Sequence, residues 1–346
     1  MNATFTTPPR PFDITALFPQ LAPLARTATR LHPRPGSPTV HDSSVGGPLL
    51  WPADEPWPHC AEPHDKHAAF RINSPDDIRL QRRVLTAAAE RLYLAPEAPE
   101  WTPEEQETLD LIRAGRPWFD GPIPLVPVAQ LYARDIPFPC PPDADLLQVL
   151  WCPFDHEMAH PKTALFWRSS ATVTDVLDAP PEPPIVQDGW YLPEPCSFSP
   201  EQVTEFPNPM ELDKEIRDQL DDMSRWETID PAQYNAYDPG DLYLDNLCTA
   251  PGWKTGGWTR WSPTDPVDRA CRECGTQAVP LLTIASWEWD GGSATWTAKE
   301  DRPTPGPPPL GARDGNFTLI DITGGNNLQL HVCPSSPYHP HFELLQ

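Results

Sequence analysis

Long apolar runs are missing from this sequence: no stretch approaches the ~20 residues that a membrane-spanning helix needs. Its opening segment, MNATFTTPPRPFDITALFPQLAPLART, has neither the basic start nor the apolar stretch of a secretory leader. The expectation is a cytoplasmic chain with no membrane contact. Basic residues are also scarce, with 25 Lys and Arg against 49 Asp and Glu and a formal net charge of -24. That balance argues against nucleic acid as a direct partner, because neutralising a phosphate backbone needs a basic face. Glycine-rich phosphate loops and the Gly-x-Ser-x-Gly nucleophile turn are absent as well, so Val45-Gly46-Gly47 and Thr255-Gly256-Gly257 read as tight turns with close backbone approach.

What the chain does have is proline. Its 346 residues include 50 Pro and 18 Gly, about a fifth of the total, a level compatible with a compact protein of short strands and turn-rich connections. With 14 Trp, 12 Phe and 7 Tyr, a sizeable core can be filled. Eight cysteines in a chain of this size without a leader read as thiols, metal ligands or core fillers, in preference to disulfides.

Helix signals are few. Ser74-Pro75-Asp76 is an N-cap followed by proline at the first helical position, and Thr102-Pro103-Glu104-Glu105 is a capping box with Gly115 as its stop. A third helix is expected over 210–223, with Leu212, Ile216 and Leu220 on one face. Strands are expected over 123–132, 146–152, 163–167, 279–287 and 327–332, and a proline-rich loop over 299–309.

SSVGGPLLWPADEPWPHC near the start and KTGGWTRW…CREC near the end share an order of features. Trp51 and Trp261 each lie four residues beyond the second glycine of a pair, with Cys60 and Cys271 following at nearly equal distances. Further on, LVPVAQLYARD answers VPLLTIASWEWD, and LLQVLWCPFDHEMAH answers NLQLHVCPSSPYHPH. The order predicts a tandem duplication packed about a pseudo-two-fold axis in an α+β fold rich in antiparallel sheet, with few helices and long proline-rich loops. The expected parts are an N-terminal extension (1–30), a first repeat (31–195) with a helical insert at about 74–115, a helical linker (196–240) and a second repeat (241–346).

SSVGGPLLWP, PVAQLYARD, KTGGWTRW, CRECG and PLLTIASWEWD resemble the YwqG-like family of bacterial proteins of unknown function, from about His32 onward. More remotely, the Lys-x-Gly-Gly, Cys-x-x-Cys-Gly and Leu-Leu pattern is similar to the eukaryotic programmed-cell-death 2 and related proteins, dedicated chaperones for a ribosomal protein. The resemblance implies a duplicated, antiparallel-rich α+β fold without an established enzymatic activity. Relatives often close the last strand with a second Cys-x-x-Cys, whereas Cys333-Pro334-Ser335-Ser336 keeps only the first cysteine.

Structural zinc needs four S or N ligands in a tetrahedron. Cys271 and Cys274 form a Cys-x-x-Cys knuckle whose turn Gly275 permits. Cys333, at a strand end, is the natural third ligand, and His339 is the first choice for the fourth, with His341 and His331 behind it. The first repeat holds an echo, in which Cys60 and His64 match the knuckle and Cys152 with His156 or His160 matches the closing strand. The alternative there is a relic whose cysteines pack as small apolar groups. A metal-dependent hydrolase using Cys60, His64, Cys152 and His156 is the catalytic alternative, although Pro153 and Pro161 argue against a helix at His156, Glu157 and His160. No catalytic residue is assigned. Trp258 and Trp261 are expected to be an exposed pair offered to a partner. The expected function is therefore a noncatalytic protein-interaction module, chaperone-like or immunity-type, whose acidic surface holds a basic protein or peptide, with a structural zinc site in the second repeat; the alternatives are the metal-dependent hydrolase and a plain structural protein.

Overall fold

The computed structural model describes residues 4–66, 72–301 and 315–346. Its strands are β1 (Arg26–Arg30), β2 (Arg34–Pro35), β3 (Ser44–Val45), β4 (His59–Cys60), β5 (Ile123–Pro124), β6 (Val126–Tyr132), β7 (Leu146–Asp155), β8 (Pro161–Arg168), β9 (Cys196–Ser197), β10 (Glu201–Glu205), β11 (Lys254–Gly256), β12 (Val279–Ala285), β13 (Asn327–Val332) and β14 (Phe342–Leu345). They form two six-stranded sheets, ordered β2-β9-β3-β6-β7-β8 and β10-β1-β11-β12-β13-β14, and a two-stranded ribbon, β4-β5. Every strand pair is antiparallel, and the fold is α+β.

One hydrophobic core runs between the sheets. Val128, Val149 and Trp151 of one sheet and Leu281, Leu328 and Val332 of the other belong to the same buried cluster. β7 is buried along almost its whole length, which explains why its sequence runs apolar without alternation.

The longer helices begin where the caps predict. α1 (Ile14–Leu17) is a single turn, while α2 (Pro75–Leu94) and α3 (Pro103–Ala114) open on reciprocal capping boxes, Ser74 with Asp77 and Thr102 with Glu105. Gly115, at φ 77°, stops α3. The third expected helix is shorter than its periodicity suggests. α4 covers only Lys214–Leu220, flanked by 3-10 turns at Pro209–Glu211 and Met223–Trp226, because Asp222 turns its carboxylate onto the Ser224 amide and starts a new turn. α5 (Pro239–Tyr243) follows. Of the expected proline-rich loop, Lys299–Asp301 form a 3-10 turn, and the rest lies outside the described residues.

The two sheets repeat several details. A register shift follows Pro127 in β6, and another follows Pro280 in β12. Beyond the shift Gln130 stands opposite Gln148 and Thr283 opposite Gln329. Gln148 Nε2 donates to Leu50 O (3.0 Å) and Gln329 Nε2 to Arg260 O (2.6 Å), each acceptor being the third residue after a glycine pair. Gly46 (φ 60°) and Gly256 (φ 67°) share the left-handed conformation that glycine adopts most readily.

The segment expected as an N-terminal extension supplies β1, in the interior of the second sheet between β10 and β11, and the expected helical linker supplies the edge strand β10. Their side chains explain why they escaped notice. Arg30 is fully buried, and Glu205 at the end of β10 is buried against Lys254 with 2.6 Å between Oε1 and Nζ. Charged residues inside a sheet carry no apolar signal when their partners are distant in sequence.

Candidate metal centres

Each of the two groups of four ligands expected from the sequence converges in space. Cys60, His64, Cys152 and His156 place their ligand atoms within 4.8 Å of one another, and so do Cys271, Cys274, Cys333 and His339.

In the first centre the ribbon β4-β5 carries Cys60 at its end, with His64 four residues on in the following loop. Cys152 sits in β7 where the pairing to β8 is interrupted between Trp151 and Asp155, and His156 directly follows that strand. His64 Nε2 lies 3.1 Å from Cys152 Sγ, and His156 Nε2 lies 3.6 Å from Cys60 Sγ. His156 turns its other nitrogen, Nδ1, to Glu62 Oε2 at 3.1 Å, and Glu62 is in turn paired with Lys162. A carboxylate behind the distal nitrogen fixes the tautomer and orientation that a metal-ligating histidine needs.

In the second centre the knuckle is a tight loop closed by Gly275 N to Cys271 O (2.8 Å) and Cys271 N to Thr276 O (2.9 Å), with Gly275 at φ 73°. Cys333 directly follows β13, and a turn between Ser336 and His339 brings the imidazole back. Cys271 Sγ lies 3.4 Å from His339 Nδ1, and Cys274 Sγ 3.4 Å from Cys333 Sγ. Metal bonds of about 2.0–2.3 Å in a tetrahedron imply ligand-to-ligand edges of about 3.3–3.8 Å. The second centre meets that range at both edges given, and the first has one edge within it and one slightly shorter.

Electrostatics favours a cation at each. The hydrogen bond between Cys60 and Cys152 lowers the Cys60 thiol and raises that of Cys152; burial raises both, and His156 adds to the lowering of Cys60. A divalent ion between the sulfurs would hold both as thiolates. In the second centre hydrogen bonding with the Thr276 hydroxyl and amide brings Cys274 down to about 6, and the hydrogen bond with Cys333 raises His339. Two S with two N, and three S with one N, are donor sets for a tetrahedral divalent ion.

The other histidines weighed from the sequence lie outside both groups. His331 is buried, with Nε2 2.9 Å from Thr259 Oγ1, and burial drives it down to about 3, so it stays neutral. His341 Nε2 lies 2.8 Å from Thr163 Oγ1, and His160 Nδ1 lies 2.9 Å from Pro161 O. His156-Glu157-Met158-Ala159-His160 has the His-Glu-x-x-His spacing, yet Glu157–Ala159 is a 3-10 turn and Ala159 takes φ 55°, so the two imidazoles do not share a helical face.

The tryptophans differ from expectation. Trp261 is 2 % exposed, with Arg269 over its ring at 5.0 Å, because its position after the glycine pair turns it into the interior as it does Trp51. Trp258 is half-buried, with Nε1 donating to Leu24 O (3.0 Å) and Arg26 stacked 3.4 Å above the ring. They do not form an exposed pair. Glu62, Lys162 and Thr276, which support the ligands, carried no signal beyond their closeness to them in sequence.

A cleft of about 470 Å³ lies between α2 and the first glycine turn, lined by Arg79, Arg82, Leu125 and several prolines, and none of the eight ligands borders it. Among the described residues no helix is long and apolar enough to cross a membrane. No protein-family model matches this chain, and no curated protein matches it either.

Proposed function

We propose that this chain is a noncatalytic protein-interaction module in which two structural zinc centres brace two halves descended from one duplicated unit. The observation that carries the reading is that each centre gathers four protein donors of the S and N type. A catalytic zinc site keeps a position for water or substrate, whereas a structural one is closed by its own ligands. Support for duplication comes from the matched register shifts after Pro127 and Pro280 and from the matched glutamine contacts of Gln148 and Gln329. None of the eight cysteines is in a disulfide, which suits a reducing compartment, and we assign the protein to the cytoplasm. The partner is a basic protein segment, chosen for its complementarity to a net charge of -24. This assignment stands beside the expectation drawn from the chaperone and immunity-type readings.

The test has two arms. Elemental analysis of the purified protein should find two zinc ions per chain, and absence of zinc would defeat the structural-centre reading. Affinity capture with mass spectrometry, repeated in 0.5 M salt, should recover a reproducible basic partner that is lost at the higher ionic strength. No reproducible partner would defeat the interaction reading.

A further inference from the structure

The segment that closes the second centre also grips the first half of the molecule. After Cys333 the chain passes Pro337, whose carbonyl accepts from Trp167 Nε1 of β8 (3.1 Å), and Tyr338, whose hydroxyl donates to Asp143 Oδ1 (2.8 Å). His339 then enters the metal centre. Two residues later His341 Nε2 meets Thr163 Oγ1, and Glu343 of β14 accepts from both the amide (2.5 Å) and the hydroxyl of Thr163. Thr163 adjoins Lys162 on β8, Lys162 pairs with Glu62, and Glu62 holds Nδ1 of His156 in the first centre. Thr163 is 6 % exposed and the side chain of Glu343 21 %, whereas the Lys162–Glu62 pair is about half exposed and the Tyr338–Asp143 contact lies at the surface.

We propose that the two metal centres bind zinc cooperatively, coupled through residues 337–343 and the Thr163, Lys162 and Glu62 contacts. The inference rests on the zinc reading above. Zinc at the second centre fixes His339 and with it the placement of His341 and Glu343. These in turn hold the start of β8, from which Lys162 steadies the carboxylate behind His156. A contiguous hydrogen-bonded path of this kind is a physical route for coupling, and linkage makes the effect reciprocal: zinc at the first centre strengthens the second by the same factor. Carboxylates behind ligating histidines typically change metal affinity 10–100-fold, so a partial loss of that support is large enough to measure.

The experiment titrates the zinc-loaded full-length protein with a chromophoric zinc chelator. The wild type should release both ions in one cooperative transition. Thr163→Val combined with Glu343→Ala leaves all eight ligands intact and should still bind two zinc ions, but release them in two separate steps. Cys333→Ser, which disables the second centre, should weaken the first at least about 5-fold, the lower end of typical coupling. Two zinc ions released independently by the wild type would overturn the coupling while leaving the structural-zinc reading intact; a wild type without zinc would remove both. Should Cys333→Ser fail to fold, the Thr163/Glu343 variant decides alone, and release unchanged from the wild type overturns the proposal.

Discussion

The sulfurs of Cys274 and Cys333 lie 3.4 Å apart although fifty-nine positions of sequence separate them. The knuckle loop holds one and the end of β13 the other, so the separation is set by the sheet, and only a folded chain brings the pair together. Replacing Cys274 by Ser should therefore lower bound zinc from two ions to at most one per chain and lower the melting temperature, since binding to a site absent from the unfolded chain adds to folding stability. Elemental analysis and calorimetry on the same sample check both.

Glu62 binds no metal in this arrangement, yet it orients His156. Glu62→Ala should leave the stoichiometry at two zinc ions while weakening the first centre about 10–100-fold in chelator competition. Unchanged affinity would mean that the carboxylate is only a surface partner of Lys162.

Lys254 and Glu205 are buried together, with side-chain exposures of 1 % and 0 %. Lys254 also donates to Trp258 O, and Glu205 accepts from the amides of Ala250 and Trp258. Lys254→Met leaves a carboxylate without its cation in the interior and should cost about 3–5 kcal/mol, read from urea unfolding of the zinc-loaded protein. A loss below 1 kcal/mol would show that water reaches the pair.

Glu201 stands at the start of β10 where β1 meets it. Burial pushes its carboxyl up, but hydrogen bonds from His32 and from the Thr7 hydroxyl and amide outweigh it and bring the group down to about 2. A carboxyl depressed in the folded state contributes stability that is present above its ordinary value near 4.5 and is lost as pH falls toward 2. The stability difference between wild type and Glu201→Gln should shrink across that window by about 1–2 kcal/mol, allowing for partial solvent screening. Urea midpoints at matched pH values test this.

Much of the architecture was legible because its signals are local. An N-cap followed by proline announces α2, a capping box announces α3, and apolar runs announce β6, β7, β12 and β13. The candidate metal ligands were legible for a related reason: one half of each set lies in or beside a short loop and the other near the end of a strand, and the parallel order of the two halves aligned them. What escaped notice depends on partners far away in the chain. β1 and β10 read as polar, since Arg30 and Glu205 find their counter-charges only after folding. Trp258 and Trp261 looked exposed because a turn-rich sequence does not reveal that Arg26 and Arg269 cover their rings.

The interior position of β1 in the second sheet bears on how the protein is made. As the ribosome delivers the chain, this first strand emerges long before β10 and β11, the neighbours that hold it on either side. Strands β3, β6, β7 and β8 of the other sheet can pair while β1 waits with both edges bare, whereas β2 must wait for β9. Until residues past 250 arrive, the nascent molecule carries an unsatisfied strand at its leading end, and that interval is when a holding chaperone would have something to protect.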